Sequence, residues 1–395
     1  MNIAILIPEL GGGGAERVSQ ILGDYYIEKG HKVYYFLADT NVRQDYPVKG
    51  TIVQTKIKKC MNGNTSKVRG YIRLFCSAIE MKRLKKIYKI DVSISFMEEF
   101  NYINILSKGK ERVITRICNV LSLLEQTYSG SIIYNRKNLR FFYRKADKVV
   151  VMCKWQFDDL QLHYGIPTRK IKIIPNMAVH RNVLDGVTRP WKYGDKAVVC
   201  VIRLHPVKQC DRIIRAFCHV VQREDSSRLV VLGKGAQREY LQRLCEKYDI
   251  ADKVFFEGFT DDVTYYLQHA RVFVLASKYE GFPNCMIEAM NYGVPVVTTD
   301  SPGACGEIVG KEEKKINRNT YTLCKYGILT PYMPLEKLKV DSELSAQEKI
   351  LGEAILKVLT ENDTYEHYRK QSLKRADMFR IDRVMKKWDR LLKQN

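Results

Sequence analysis

Ser277-Lys-Tyr-Glu280-Gly-Phe-Pro-Asn-Cys-Met-Ile-Glu288-Ala-Met-Asn-Tyr-Gly293-Val-Pro-Val-Val-Thr-Thr-Asp300 is the stretch on which the fold turns. The residues ahead of it, Arg271-Val-Phe-Val-Leu-Ala-Ser277, form a short, nearly continuous apolar run, the pattern of a strand buried on both faces of a parallel sheet. Glu280-Gly281-Phe282 reads as a loop. Pro283 pre-sets φ for a first helical turn, and Gly293 stops a helix running roughly from Asn284 to Tyr292. Val294-Pro-Val-Val-Thr298 is the next strand. Strand, loop, helix and strand make one β-α-β unit, and a series of such units builds a parallel sheet with helices on its faces.

A loop leaving the carboxyl end of a parallel strand and entering a helix suits a ligand that carries phosphate, because free N–H groups and the positive end of the helix dipole point outward there. Glu280 precedes the helix and Glu288 lies inside it, so the two carboxylates take different tasks: one faces the reacting end of a ligand, the other accepts from hydroxyls further along. The same two residues are also compatible with a dipole partner and a solvated helix position, and their neighbours have to decide between these readings.

Working outward, the second half repeats the unit. Ala197 to Ile202 is a strand, Arg203-Leu-His-Pro-Val-Lys208 a loop and Asp211 to Val221 a helix. Arg228 to Leu232 is a strand ending in Gly233-Lys-Gly235, and a helix follows from about Gln237 to Tyr248. Lys253 to Phe256 then leads to Gly258-Phe259. Arg203 and Lys208 fall at the same presumed sheet edge as Glu280 and Gly258. Two cations, a glycine-rich loop and a helix start converging there describe a diphosphate site.

The first half opens with a strand from Asn2 to Ile7, the run Gly11-Gly-Gly-Gly14-Ala-Glu16-Arg17, a helix to about Lys29 and a strand from Val33 to Leu37. Asp91 to Phe96, Glu111 to Arg116, Lys148 to Met152 and Lys170 to Ile174 read as further strands. The stretch from about 178 to 195, with Gly186, Pro190 and Gly194 and no periodicity, reads as a linker. A first domain over 1–180 and a second over 196–375 follow. Ala346 to Asn362 and Asp363 to Asn395 look helical, and a last helix over about 376–395 is a candidate to return to the first domain.

The 395 residues carry 66 Lys and Arg against 44 Asp and Glu, a net +22, of which residues 1–190 hold +16. An anionic partner for the first half is implied. Lys67 to Lys89 is an amphipathic helix with Val68, Tyr71, Ile72, Phe75, Ala78 and Ile79 at helical spacing among eight cations, and Arg136 to Lys145 again mixes aromatics with cations. Both segments suit an anionic membrane surface, and both are also compatible with a solvated face or with single-stranded nucleic acid. The eleven cysteines lack Cys-x-x-Cys spacing and read as small buried hydrophobes in a reducing compartment. No apolar run approaches the ~20 residues of a membrane span, so a soluble or peripheral protein is expected.

Gly11-Gly-Gly-Gly-Ala-Glu16-Arg17, Ile174-Pro-Asn176, Arg203-Leu-x-x-x-Lys208, Leu232-Gly-Lys-Gly235, Gly258-Phe259 and Glu280-Gly-Phe-Pro-Asn-x-x-x-Glu288-Ala-Met-x-x-Gly293-x-Pro-Val resemble, in order over roughly residues 1–309, glycosyltransferase family 4 (glycosyl transferases group 1). The resemblance implies the α/β GT-B fold, two doubly wound Rossmann-like domains facing each other across a cleft, and a retaining transfer from a nucleoside diphosphate sugar, UDP ahead of GDP. The implied acceptor is a glycan or polyprenyl-linked glycan of a bacterial surface polysaccharide, and the implied place is cytoplasmic, on the inner face of the cytoplasmic membrane.

By the same resemblance Glu280 sits against the donor sugar and Glu288 holds the ribose hydroxyls. Arg203 and Lys208 neutralise the leaving diphosphate, Gly13 and Gly14 close over it, and Gly258 with Phe259 meets the base. Gly281, Phe282, Pro283, Asn284, Met286 and Ile287 supply further donor contacts, chiefly through backbone N–H groups. No Asp-x-Asp pair occurs, so no metal and no cofactor beyond the sugar nucleotide are expected.

Two departures stand out. Many relatives place a histidine where this chain has Ser95-Phe96-Met97-Glu98-Glu99, and Ser301-Pro-Gly-Ala-Cys-Gly-Glu307 alters the family's Pro-Gly-Gly-Pro-x-Glu loop. Two alternatives stay open on sequence. One is an epimerase or phosphorylase on the same fold, which product analysis separates from a transferase because only a transferase needs an acceptor. The other is a basic nucleic-acid-binding protein, favoured by the +22 charge, although no nucleic-acid motif occurs and no such partner is expected.

Overall fold

The computed structural model describes residues 1–11, 13–38, 47–57, 67–178, 190–313, 316–334 and 343–393. The chain divides into two units, Met1–Asn176 with Val384–Asn395, and Met177–Arg383. In the first, β1 (Asn2–Leu6), β2 (Lys32–Leu37), β3 (Thr51–Gln54), β4 (Val92–Phe96), β5 (Arg112–Arg116), β6 (Lys148–Val151) and β7 (Ile171–Ile173) form one parallel sheet in the order β3-β2-β1-β4-β5-β6-β7. Chain order reverses between β1 and β4, so the loops after these two strands diverge and open a crevice at their carboxyl ends.

The strands are buried because helices cover both faces, and their polar residues are paired from within. Ser95 of the fully buried β4 donates to Asn101 Oδ1 at 2.7 Å and accepts from Asn104 Nδ2 at 3.0 Å. β3 is absent from the sequence reading. It buries only Val53, and four residues at a sheet edge leave no period to detect.

The helix Lys67–Ile87 forms where expected, and of the apolar residues read at helical spacing only Ala78 faces inward. It buries Gly70, Leu74, Ser77, Ala78, Met81, Leu84 and Lys85, leaving Val68, Tyr71, Ile72, Phe75 and Ile79 outward. Lys85 survives inside because its ammonium donates to Glu111 at 2.8 Å and to Asn104 Oδ1 at 2.7 Å.

The first unit is completed from the far end of the chain. Trp388, on the helix Ile381–Lys393, is fully buried, with the Arg116 guanidinium 5.8 Å from its ring. Asp389 accepts from Lys29 at 2.6 Å and from Tyr25 at 2.9 Å, pinning that helix to the first helix, Gly14–Glu28. The expected single helical stretch from Asp363 is broken at 378–380. There the Phe379 carbonyl accepts the Ala178 N–H at 2.7 Å and Ala178 bridges to Arg380, so the backbone is spent on a strand-like pairing.

In the second unit β8 (Ala197–Val201), β9 (Arg228–Leu232), β10 (Val254–Gly258), β11 (Val272–Leu275), β12 (Val296–Thr299), β13 (Thr322–Leu323) and β14 (Ile328–Thr330) run in the order β10-β9-β8-β11-β12-β14-β13. All pairs are parallel except β13 with β14, a short hairpin that the sequence reading omits. The order reverses between β8 and β11, which makes the loops after these two strands the second unit's crevice. Of the expected linker, residues 179–189 lie outside the described residues. Trp191 belongs to the second unit, stacked on His269 at 4.8 Å.

Candidate functional site

The loop after β8 contains Arg203 and a 3₁₀ turn, Pro206–Lys208, whose start is capped by His205 Nδ1 accepting from the Val207 N–H at 3.3 Å. The loop after β11 contains Ser277 and Glu280. The Lys278 N–H donates to the Val207 carbonyl at 2.7 Å, so the two loops are stitched together. The stitch delivers Lys208 to Glu280. The Lys208 ammonium donates to Glu280 Oε1, and Ser277 Oγ donates to the same oxygen at 2.6 Å. Burial pulls the Lys208 ammonium down, but the Glu280 carboxylate more than offsets it and holds the group above its ordinary value. Arg203 is exposed nearby and is one of the charges felt by Lys208.

Glu280 is fixed by its backbone as well. Its N–H donates to the Pro302 carbonyl at 3.0 Å, and its residue bridges to Gly303. Gly303 has φ +116°, and a Cβ there would stand 1.6 Å from the Glu280 carbonyl oxygen, so only glycine lets the two segments meet. Gly233, with φ +134°, likewise sets the loop after β9 against the Ile202 carbonyl, 1.8 Å from where its Cβ would lie. The Gly233 N–H donates to the Gly258 carbonyl at 2.6 Å, bringing the loops after β9 and β10 together. Phe259 is half exposed beside Gly258, with the Lys234 ammonium 5.1 Å over its ring.

Arg203, Lys208, Gly258, Phe259 and Glu280 therefore share the carboxyl edge of one sheet. Beyond Glu280, Gly281 and Pro283 are buried, and Pro283 stands at the N-cap of the helix Asn284–Asn291, one position before the expected first turn. Phe282 packs edge-on to Phe379 at 5.5 Å, which leaves its backbone rather than its ring to meet a ligand. Met286 and Ile287 are buried, and the Met286 N–H is already engaged by the Pro283 carbonyl at 3.1 Å. Asn284 and Glu288 are half-buried on the first and second turns. The Cys285 thiol is pushed well up by burial and then by Glu280 and Glu288, so it stays protonated.

Gly13 and Gly14 belong to the first unit, at the start of the helix Gly14–Glu28. The Glu16 carboxylate folds back against Gly13, 2.1 Å from where a Cβ would be. Sequence reasoning passed over Ser277, Lys234 and Gly303 as site residues. Each stands within or beside a quoted motif; Ser277 acts on Glu280 in its own loop, whereas the contacts of Lys234 and Gly303 come from other loops.

The histidine-less strand end of the first unit is unusual in two ways. Met97 adopts φ +67°, ψ +148°, a conformation that is essentially glycine's, and Glu98 behind it is buried. Tyr134 Oη lies 3.4 Å from Glu98 Oε2, while Oε1 has no hydrogen-bond partner. Burial pushes the Glu98 carboxyl up to about 7, against partial relief from a backbone N–H and Tyr134. A folded value above the unfolded one means that ionisation opposes folding. The penalty is absent below about pH 4.5, grows through about pH 7 and is then complete. Glu98→Gln is expected to melt near the wild-type temperature at pH 4.5 and to be more stable at pH 8 by roughly 3 kcal/mol at most. An equal difference at both pH values sinks this assignment.

Among the described residues no helix is long and apolar enough to cross a membrane, and no group of three or more His, Cys, Asp and Glu gathers to hold a metal.

Known proteins match along most of the chain. The model of Glycosyltransferase Family 4 matches residues 12–178, and that of Glycosyl transferases group 1 matches residues 188–320. The chain is 26% identical over 315 residues to an N-acetylgalactosamine-N,N'-diacetylbacillosaminyl-diphospho-undecaprenol 4-alpha-N-acetylgalactosaminyltransferase of Campylobacter jejuni, covering 79% of this chain and 84% of that one. Its fold is shared by sucrose-phosphate synthase of Thermosynechococcus elongatus, with a TM-score of 0.76, 18% identity and coverage of 100% and 98%. HepE of Anabaena, solved with UDP and glucose, has a TM-score of 0.71 with 15% identity and 99% of each chain covered.

Proposed function

Because the chain belongs to glycosyltransferase family 4 and has the GT-B fold, we propose that it moves a hexosyl group, with retention, from a UDP-sugar to a lipid-linked glycan of a bacterial surface polysaccharide. The observation that carries this reading is the Lys208–Glu280–Ser277 cluster beside Arg203 at the reversal point of the second sheet. An arriving diphosphate offers Lys208 a stronger anion than Glu280. Glu280 is then released to accept from a hydroxyl of the donor sugar, still oriented by Ser277.

As the anomeric carbon–oxygen bond breaks, its electron pair moves to the diphosphate, whose charge Arg203 and Lys208 stabilise in place of a metal. The acceptor oxygen bonds to the same face of the anomeric carbon, and its proton passes to the departing phosphate oxygen. Glu288 holds the ribose. The backbone of Gly281, Phe282 and Asn284 lines the phosphates, while Gly258 and Phe259 face the base. Pro283, Met286 and Ile287 support this surface from below.

UDP as donor draws support from HepE, and a polyprenyl diphosphate-linked acceptor from the Campylobacter jejuni enzyme, whose name specifies one. An acceptor of that kind fits attachment to the inner face of the cytoplasmic membrane, where sugar nucleotides are available. The test is a panel of UDP- and GDP-sugars with a polyprenyl diphosphate-linked saccharide, the product's anomeric configuration being read by NMR in the presence of EDTA. Transfer from a UDP-sugar with the donor's configuration kept is expected. Inversion, dependence on a divalent ion, or turnover of the sugar nucleotide to an isomer without an acceptor overturns the reading.

A further inference from the structure

The helix Lys67–Ile87 of the first unit has an inner face accounted for by Gly70, Leu74, Ala78, Met81 and Leu84. A surface helix so buried normally turns polar residues to water on the opposite side. Here the opposite side is apolar. Val68, Ile72, Phe75 and Ile79 are 67%, 57%, 63% and 57% exposed, and their spacing of four, three and four residues stacks them in one ridge. Carried on for two further turns, the same ridge becomes Lys82, Arg83 and Lys86, all exposed. Glu80 is the helix's one acid, set aside by accepting the Lys56 N–H at 3.0 Å.

The second basic segment lies beside this ridge. The helix Arg136–Lys145 is joined to it through Asn138 Nδ2, which donates to Tyr71 Oη at 2.7 Å. Exposed on that helix are Arg140, Arg144, Lys145 and Phe141, with the Lys145 ammonium 4.0 Å over the Phe141 ring. Two stretches far apart in sequence thus make one surface of exposed large apolar side chains set among cations.

We infer that this surface, the outer ridge of Lys67–Ile87 with the adjoining face of Arg136–Lys145, docks onto an anionic phospholipid bilayer with Ile72 and Phe75 inserted among the lipids. Charge selects the partner. A second copy of this chain would set cations against cations. A nucleic acid would satisfy the lysines and arginines but has no use for Val68, Ile72 and Ile79. An interface that is anionic at its surface and apolar a few ångströms below meets both halves, and the two signals together give stable attachment where either alone is marginal.

The inference concerns the lipid-side partner of the reading above and rests on it only for the membrane's identity, so its test measures binding and not transfer. The full chain is sedimented with phosphatidylcholine vesicles, with and without phosphatidylglycerol, as wild type, as the double variant Ile72→Asp with Phe75→Asp, and as Lys82→Glu with Arg83→Glu. Wild type is expected on the mixed vesicles at least about tenfold above phosphatidylcholine alone, and each variant is expected to lose most of that binding. All four side chains are exposed, so melting temperatures should match wild type, which separates lost docking from lost folding. Equal binding of wild type to both vesicles overturns the inference, as does wild-type binding by the aspartate variant. Tight oligonucleotide binding that the aspartates leave unchanged would assign the cations to nucleic acid and overturn it as well.

Discussion

Lys208→Ala is expected to reduce sugar transfer by about a hundredfold to a thousandfold, the usual cost of removing a preorganised charge aimed at a developing anion. The effect is large because this ammonium is mostly shielded from water and held charged by the Glu280 carboxylate, so it is already charged and in place when it exchanges that partner for a diphosphate. Arg203→Ala should cost less, since its exposed guanidinium acts in a more polarisable setting. The loss should appear in kcat/KM for the donor and in weaker calorimetric binding of UDP. Because removing Lys208 also strands a buried carboxylate, the melting temperature of the variant should fall. The double variant Lys208→Ala with Glu280→Gln should recover stability without recovering activity. Transfer by Lys208→Ala within about threefold of wild type would remove the proposed phosphate site.

The largest effect on stability is expected at Glu348, which holds the helix that follows the Lys208 turn. Its carboxylate is fully buried and accepts from Arg212 Nη1 and Arg215 Nε, both at 2.8 Å. It also closes a capping box on the helix Ala346–Thr360, taking the Ser345 N–H at 2.7 Å while Ser345 Oγ takes the Glu348 N–H at 3.2 Å. Burial raises this carboxyl, but the two guanidinium groups and the cap outweigh it, and the group is held below its ordinary value. Glu348→Ala removes the carboxylate that two buried cations share and should cost roughly 3–5 kcal/mol. The second unit should then melt about 10 °C or more lower, as followed by calorimetry. Since the folded value is depressed, the contribution is present above the unfolded value and lost as pH falls through the folded one, so the gap to wild type should narrow in acid. An unchanged melting point at neutral pH would show that the network contributes nothing.

What could be read beforehand was local. The β-α-β character of 271–299 follows from an apolar run, a proline and a glycine within thirty residues, and the placement of Arg203, Lys208, Gly258 and Glu280 on one edge follows from the parallel sheet alone. Contacts between distant segments were not legible. Lys208 meets Glu280 across 72 positions, and Gly303 is fixed by a carbonyl on another loop, neither of which leaves a periodic mark.

The helix Lys67–Ile87 shows a different limit. Spacing reveals that apolar residues share a face but not which face meets the core, and here the ridge of Val68, Ile72, Phe75 and Ile79 was outbid by the narrower strip around Leu74 and Met81. The strip wins because small residues, Gly70, Ser77 and Ala78, let it approach the first unit closely, as the 2.6 Å between a Cβ added at Gly70 and Ile132 indicates. The break at 378–380 was hidden for a similar reason, since it depends on Ala178.

The first unit takes its last helix from the far side of roughly two hundred intervening residues. On the ribosome, at about 5–20 residues per second, that helix emerges about 10–40 s after β7. During this interval the seven-stranded sheet exists without Trp388, and the apolar seat around Phe96 and the buried Arg116 guanidinium stands open. The second unit is contiguous from Met177 to Arg383 and has no such wait. Maturation therefore runs against the order of synthesis: the half made first is the half finished last.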